Sequence, residues 1–198
     1  FQAYKTMRVA QQLYEGLPIG NEGNVGLITY MRTDAVRVSK ESQDFARKYI
    51  LEKYGAESIP GVPNAYKAKK SAQEAHEAIR PALPLREPDS IKESLTIDQY
   101  KLYTLIWNRF ISSQMTPAVF SIVSVEIKAG RCIFKAQGSQ KVFSGFSVVY
   151  EENEEDKEEE KLLPSLEEGE TLDLLNLNHS QHFTKPPPRY SDASLVKA

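Results

Sequence analysis

The sequence predicts an α+β fold, in which a helical first half is followed by a β-rich second half. Up to about residue 115, apolar side chains recur at the three- and four-residue spacing of a helix face, between residues that commonly begin and end helices. Beyond Pro117, apolar and polar side chains alternate as they do in strands. Of the 198 residues, 40% are hydrophobic and 26% are charged, so each half can bury a core. No run approaches the roughly 18 apolar residues that span a membrane.

Two long helices are expected in the first 55 residues. The first runs to Glu15, ends at Gly16, and has one face made of Tyr4, Met7, Ala10, Leu13 and Tyr14. The second has Ser39 as its N-cap, runs to about Tyr54, and directs toward the core Phe45, Tyr49 and Ile50.

Two capping boxes mark two further helices, because each has Ser or Thr followed three residues later by Glu or Gln. Ser71 and Glu74 open a short helix that Pro81 closes. Thr96 and Gln99 open a longer helix, whose apolar positions are Tyr100, Tyr103, Ile106, Trp107 and Phe110.

Strands are expected after the helices. They are Val119 to Ile127, then, after a turn at Ala129-Gly130, Arg131 to Gln137, Val142 to Tyr150, and Thr171 to Leu177. The three prolines of residues 186–188 make a stiff, extended exit, and residues 191–198 are typical of a helix start. We therefore divide the chain into residues 1–115, residues 116–186 and residues 187–198, the last being the start of a further domain.

Charge is unevenly distributed along the chain. Residues 1–110 carry 16 Lys/Arg and 13 Asp/Glu, whereas residues 111–198 carry 9 and 14. The acidic excess lies mainly in residues 151–161, which we interpret as a solvated loop because like charges repel. Cys132 is the only cysteine, which excludes an intrachain disulfide and fits a reducing, intracellular compartment. The chain begins with Phe1, so we expect a fragment of a larger polypeptide.

The segment most suggestive of chemistry runs from Val25 to Asp34, between the first two helices. A short apolar strand pattern leads into a polar cluster of Thr29, Tyr30, Arg32, Thr33 and Asp34. A tyrosine that attacks phosphorus must lose its proton, which from a reference pKa of about 10 costs on the order of 4 kcal/mol at pH 7. An arginine on the same strand face, such as Arg32, would stabilise both the phenolate and the phosphoryl oxygens. A tyrosine that only packs is the alternative interpretation.

Four stretches of the chain, in order, resemble signatures of the bacterial type IA DNA topoisomerase family. The stretch from Gly26 to Asp34 resembles the active-tyrosine motif of that family, and the others are residues 6–16, 75–81 and 183–197. The resemblance covers nearly the whole chain. It departs from the family pattern at Ala35 and Ala82, where many relatives carry small hydroxyl residues.

The resemblance implies roles for individual residues. Tyr30 would be the nucleophile that forms a 5′-phosphotyrosine link, and Arg32 would stabilise the phosphate. The DNA-binding positions that we infer are Thr29, Asp34, His76 and Arg80. On the predicted helix, His76 and Arg80 are four residues apart and would share a face toward phosphate or base. A solvent-facing histidine without a role is the alternative for His76.

The resemblance also implies an ATP-independent isomerase that cleaves one DNA strand, passes another and relaxes negative supercoils. Residues 116–186 would form part of its hinge-like arch, or gate. The intact enzyme would use Mg²⁺ held by an N-terminal domain outside this chain, so we assign no metal site here and expect the isolated chain to be inactive.

The expected partners are DNA, especially single-stranded DNA, and that missing domain of the same polypeptide. The protein would be a monomer of the bacterial cytoplasm, associated with the nucleoid and not with a membrane. The alternative is a noncatalytic DNA-binding or protein-interaction module in which Tyr30 is structural.

Overall fold

Three long helices build the first half of the chain. The computed structural model describes residues 2–66, 76–150 and 162–197. The helices are α1 (Ala3–Glu15), α2 (Lys40–Tyr54) and α3 (Ile97–Ser113). The predicted caps are confirmed: the Ser39 side chain accepts a hydrogen bond from the Ser42 backbone N–H, and Thr96 forms a complete capping box with Gln99. Local sequence signals therefore set where α2 and α3 begin.

The core lies where these three helices meet the loops between them. Leu13 of α1, Ile50 of α2 and Tyr103 of α3 are fully buried. The Trp107 ring meets the Tyr49 ring edge to face, with ring centroids 5.4 Å apart, and its indole N–H donates to the Pro84 carbonyl. The loop before α3 is thereby held against the core.

The buried faces of α1 and α2 differ from the predicted ones. In α1 the buried residues are Val9, Ala10 and Leu13, whereas Tyr4, Met7 and Tyr14 are exposed. In α2, Phe45 was expected to face the core but is exposed. The buried residues of this helix are Ser42, Ala46, Tyr49 and Ile50. Neighbouring elements bury only one narrow stripe of each helix. The spacing of apolar residues in the sequence predicted a wider buried face.

The predicted short helix before Pro81 is wrong for its described part. Its capping box at Ser71 and Glu74 lies outside the described residues, and residues 76–80 are not helical. They run beside the segment after α1 instead: the Ala78 N–H donates to the Arg37 carbonyl, and Ile28 forms an antiparallel bridge with Pro81. Backbone N–H and C=O groups that would form hydrogen bonds within a helix are bonded here to residues about forty to fifty positions earlier in the chain. The proline also disfavours helical geometry at the residue before it.

One long β-hairpin dominates the second half of the described chain. Strand β3 (Val119–Ala129) pairs antiparallel with β4 (Cys132–Phe143), and a two-residue turn begins at Gly130, whose φ of 60° suits glycine. Two short strands, β1 (Leu17–Pro18) and β2 (Asn24–Val25), pair in the first half. The change from helix to strand occurs between α3 and β3, where the sequence pattern changes. The fold is α+β, as predicted.

Two predicted strands are absent from the described residues. The segment from Val142 onward continues β4 to Phe143 and then turns through a 3₁₀ helix at Gly145–Val148, and residues 171–177 form no strand. The pairing of β4 runs through Gly138, which lies opposite Val123, so no break separates two strands there. The strand prediction was based on alternating apolar and polar side chains, and such a pattern does not show whether a second strand is available for pairing. The acidic run 151–161 lies outside the described residues.

The base of the hairpin is tied to the helical half by backbone hydrogen bonds. The Thr116 N–H donates to the Ser58 carbonyl, and the Phe146 N–H donates to the Thr116 carbonyl. The Arg109 guanidinium of α3 also lies over the Tyr150 ring, 5.2 Å from its centroid. Both strands therefore leave from one anchored point. The division into domains at residues 115 and 186 stays a prediction.

Residues 162–191 form no helix or strand, contain a turn at residues 168–169 and are mostly exposed, and a short helix, α4 (Asp192–Lys197), follows. Its position agrees with the helix start predicted from residues 191–198. In the described part of the chain, no helix is both long enough and apolar enough to cross a membrane.

A buried tyrosine makes the stability of the fold sensitive to alkaline pH. The Lys53 ammonium donates to the Tyr49 hydroxyl at 2.6 Å and to the Glu87 carboxylate at 2.7 Å. Burial, the largest cause, raises the pKa of Tyr49 to about 12, whereas an unfolded tyrosine titrates near 10. Between these values the unfolded chain loses a proton that the folded chain retains, so stability is complete below pH 10 and falls as pH rises toward 12.

We expect the free energy of unfolding, measured by urea denaturation, to decrease between about pH 10 and pH 12, and Tyr49→Phe to make that decrease shallower. Burial also raises the pKa of Tyr103, so Tyr49→Phe should remove only part of the effect. A pH dependence that Tyr49→Phe leaves unchanged would contradict this assignment.

Candidate active site

Tyr30 lies at the exposed end of a buried segment. Leu27 and Ile28 are buried, the side chain of Tyr30 is 38% exposed, and Met31 is buried again at 5% exposure. Arg32 is exposed. The regular bridge ends at Ile28, and the chain bends at residues 29, 31 and 32. Tyr30 and Arg32 are thus both exposed, with a buried anchor between them.

The segment before Tyr30 is held on two sides by the backbone. On one side the Leu27 N–H donates to the Leu13 carbonyl of α1 at 2.7 Å. On the other side the Thr29 N–H donates to the Arg80 carbonyl, and the Ala82 N–H donates to the Leu27 carbonyl, both at 2.9 Å. Tyr30 therefore follows a strand-like segment fixed between α1 and residues 76–82.

Gly26 permits the close approach of this segment to α1. A Cβ atom at Gly26 would lie 2.9 Å from the Tyr14 carbonyl oxygen, which is closer than such atoms approach in proteins. Because the opposing atom belongs to the helix backbone, a larger residue would push the segment away from α1. The glycine of the motif thus has a packing reason.

Thr29 is engaged within the protein. Its hydroxyl donates to the Ala78 carbonyl at 2.8 Å and accepts from the Arg80 N–H at 3.0 Å. These bonds join the Tyr30 segment to the chain fifty residues later. The DNA-binding role predicted for Thr29 stays a prediction, and in the structure its hydroxyl is engaged by residues 78 and 80.

Two aromatic rings contact the ring of Tyr30. The Tyr14 ring meets it edge to face, with centroids 5.4 Å apart and planes inclined by 64°. The His76 ring is tilted by 60° at a centroid distance of 5.6 Å. The structure thus brings His76 to Tyr30, as expected for a residue near the site, although through an extended segment and not through a helix. Tyr14 was not predicted as a site residue.

The Arg80 side chain forms its hydrogen bonds with residues other than the Tyr14, Tyr30 and His76 rings. The residue is buried, its Nε and Nη2 donate to the Glu77 carboxylate at 3.0 and 2.6 Å, and its Nη1 donates to the Pro81 carbonyl. The expectation that His76 and Arg80 share a helix face is wrong, because this segment is not a helix. The Arg80 guanidinium is occupied by the protein itself, and a direct DNA contact would require that ion pair to open.

Asp34 is exposed at the end of the motif, and the Thr33 hydroxyl accepts a hydrogen bond from the Ala35 N–H. That bond holds the backbone on both sides of Asp34 together. Asp34 therefore stays at the surface beside the site, where a role at DNA remains a prediction.

Within residues 2–66, 76–150 and 162–197, no group of three or more His, Cys, Asp or Glu side chains could hold a metal ion. None of the described side chains is therefore assigned to a Mg²⁺ site. What the site does offer is a braced, accessible phenol and an exposed guanidinium two residues later. Such a pair suits nucleophilic attack on a phosphodiester.

Comparison with known proteins gives a consistent answer. A family model described as DNA topoisomerase matches residues 1–198. DNA topoisomerase 1 of Xylella fastidiosa is 46% identical over 205 residues, an alignment that covers 100% of this chain and 25% of that protein. Full-length topoisomerase I from Thermotoga maritima has a similar structure, with a TM-score of 0.71 and 36% identity, over 86% of this chain and 26% of that chain.

The chain therefore belongs to the DNA topoisomerase family, in its bacterial type IA branch. The resemblance drawn from the four sequence stretches is confirmed at the level of the family. The chain spans about a quarter of the length of these two relatives.

Proposed function

We propose that this chain provides the nucleophile of a type IA topoisomerase, which cleaves one DNA strand, lets another strand pass and reseals the break. The observation that carries the proposal is the placement of Tyr30. Its side chain is accessible although the next residue, Met31, is buried and the preceding residue, Thr29, is hydrogen-bonded to residues 78 and 80. A packing tyrosine would gain by burial, whereas a nucleophile must reach its substrate.

In the proposed reaction the Tyr30 oxygen attacks a phosphorus atom of the DNA backbone and loses its proton. The bond from phosphorus to the 3′ oxygen breaks, and that oxygen gains a proton and leaves as a 3′-hydroxyl. DNA remains attached through a 5′-phosphotyrosine ester, so the reverse attack by the 3′-hydroxyl reseals the strand without ATP. Repeated strand passage would relax negative supercoils.

Arg32 is proposed to stabilise the charge on the non-bridging phosphate oxygens as the new bond forms. A guanidinium is suited to this because it stays charged and presents several donors in one plane. Arg32 is exposed two residues after Tyr30, so DNA can reach its guanidinium close to the nucleophile in the chain. His76 and Asp34 are proposed to contact DNA next to this pair.

The β3–β4 hairpin is proposed to belong to the arch that opens for strand passage. Its strands of 11 and 12 residues leave from one anchored base and are largely exposed. A projecting ribbon with a fixed base suits a lever better than a core element. The division at residues 115 and 186 is part of this proposal.

The remaining proposals concern the longer polypeptide. Mg²⁺ would be held by a domain outside this chain, which would also provide proton transfer. The enzyme would act as a monomer on DNA, preferring single-stranded regions, in the cytoplasm and at the nucleoid. A noncatalytic module with a structural Tyr30 is the competing function, and the site geometry favours it less because Tyr30 is accessible.

A relaxation assay tests the proposal. We define the hybrid enzyme as DNA topoisomerase 1 of Xylella fastidiosa in which this chain replaces the matching quarter. With negatively supercoiled plasmid and Mg²⁺, we expect the hybrid enzyme to relax the plasmid and the isolated 198-residue chain not to. Relaxation by the isolated chain would show that the missing domain is unnecessary. A folded, DNA-binding hybrid enzyme that forms no covalent adduct would favour the noncatalytic module.

A further inference from the structure

We propose that Tyr14, in the last turn of α1, is a positioning residue for Tyr30. The inference deepens the proposed function, since it assumes that Tyr30 is the nucleophile. Tyr14 contacts the Tyr30 ring edge to face at 5.4 Å, an arrangement that aromatic pairs favour. Its contact restricts the directions in which the Tyr30 ring can turn.

The backbone that carries Tyr14 is rigidly joined to the backbone that carries Tyr30. The preceding residue, Leu13, is fully buried and its carbonyl accepts the hydrogen bond from the Leu27 N–H. The Tyr14 carbonyl itself lies against Gly26, so closely that a Cβ would not fit. Both ring-bearing residues are therefore attached to one fixed unit, and their relative position does not depend on a flexible loop.

The exposure of Tyr14 argues against an ordinary core role. Its side chain is 41% exposed, while the buried stripe of α1 is made of its neighbours Val9, Ala10 and Leu13. A helix residue outside the buried stripe can usually be replaced at little cost to stability. What Tyr14 does contact is Tyr30, so its effect should appear in the site and not in the fold.

The His76 ring cannot replace the Tyr14 ring in orienting Tyr30, because the two rings belong to different elements. His76 lies on residues 76–82, which reach Tyr30 across some fifty positions of sequence and through hydrogen bonds to Thr29. Tyr14 approaches from α1, a different element with its own attachment. Two rings from independent elements fix the direction of the Tyr30 side chain better than one, which favours reaction because attack on phosphorus requires an aligned oxygen.

The test compares Tyr14→Leu with Tyr14→Phe in the hybrid enzyme. Single-turnover formation of the covalent DNA adduct is measured in Mg²⁺ at saturating DNA. We expect Tyr14→Leu to slow adduct formation about tenfold, since misplacement by about 1 Å can slow a reaction up to a hundredfold. Tyr14→Phe should stay within about twofold of the unsubstituted hybrid enzyme, because it retains the ring. DNA affinity and the midpoint of thermal unfolding should not change.

The matched control is Tyr4→Leu, which removes a tyrosine from the same helix at a position that is 79% exposed. It should leave the rate of adduct formation unchanged. An unchanged rate in Tyr14→Leu would overturn the proposal. Equal losses in Tyr14→Leu and Tyr14→Phe would overturn it as well, because the effect would then belong to the hydroxyl.

A second measurement does not depend on activity. In the 198-residue chain with labelled tyrosines, NMR should detect contacts between the Tyr14 and Tyr30 rings, and Tyr14→Leu should shift the Tyr30 ring signals while Tyr4→Leu does not. If the unsubstituted hybrid enzyme forms no adduct, the proposed function fails, and the NMR result alone still decides whether Tyr14 orients Tyr30. Tyr30 signals that Tyr14→Leu leaves in place would overturn the inference.

Discussion

Tyr30→Phe in the hybrid enzyme is expected to abolish both plasmid relaxation and the covalent DNA adduct. Phenylalanine retains the ring that contacts Tyr14 and His76, so the local packing should survive. It lacks the oxygen that forms the phosphotyrosine ester, and nothing else in the site replaces that bond. We expect a loss of at least about 10³-fold, the scale on which enzymes depend on a covalent nucleophile.

The adduct is measured by denaturing electrophoresis of labelled single-stranded DNA, and relaxation by plasmid topoisomers on agarose. Tyr4→Phe is the control, because it removes a hydroxyl from another exposed tyrosine of the helical half. The two variants should bind single-stranded DNA with similar affinity. An adduct that persists in Tyr30→Phe would identify a different nucleophile and contradict the proposed function.

Arg80→Ala is expected to destabilise the chain by about 2–4 kcal/mol in urea unfolding, because breaking a buried ion pair leaves an uncompensated charge. The side chain of Arg80 is 11% exposed, and that of its partner Glu77 is 25% exposed. The substitution also leaves the Pro81 carbonyl without its donor. Residues 76–82, which carry His76 and hold Thr29, should loosen as a result.

Arg32→Ala is the matched control for Arg80→Ala. Arg32 is exposed, so its loss should change stability by no more than about 0.5 kcal/mol while slowing adduct formation in the hybrid enzyme. If Arg80 served mainly as a phosphate contact, Arg80→Ala would leave stability unchanged and lower the salt dependence of DNA binding by about one counterion. These opposite outcomes separate a positioning arginine from a DNA-binding one.

The motif around Tyr30 could be interpreted from the sequence because its parts lie next to each other in the chain. Tyr30 and Arg32 are two residues apart, and both are exposed while Met31 between them is buried. The position of Tyr14 could not be found this way. Helical spacing placed it on the expected core face, and only the packing of the α1 end against Gly26 brings its ring to Tyr30.

For Arg80, the sequence predicted a spatial relation that the structure does not have. Its spacing from His76 predicted a shared helix face, but that prediction depended on a local hydrogen-bond pattern. In the structure, residues 78–82 pair with residues 27–37 instead, and the Arg80 side chain turns to Glu77. A sequence pattern does not show whether a distant segment will pair with the backbone in place of a local helix. The DNA-binding role inferred for Arg80 stays a prediction, and the ion pair with Glu77 makes that role less favourable.

The sequence by itself determined what depends on neighbouring residues: the caps of α2 and α3 at Ser39 and Thr96, the change from helix to strand before Val119, and the motif of Tyr30. These features follow from hydrogen bonds and steric preferences within a few residues. Only the tertiary structure decided which faces are buried, which strands find a partner, and which rings surround Tyr30. Each of those depends on contacts between distant segments, and such contacts exist only after the chain has folded.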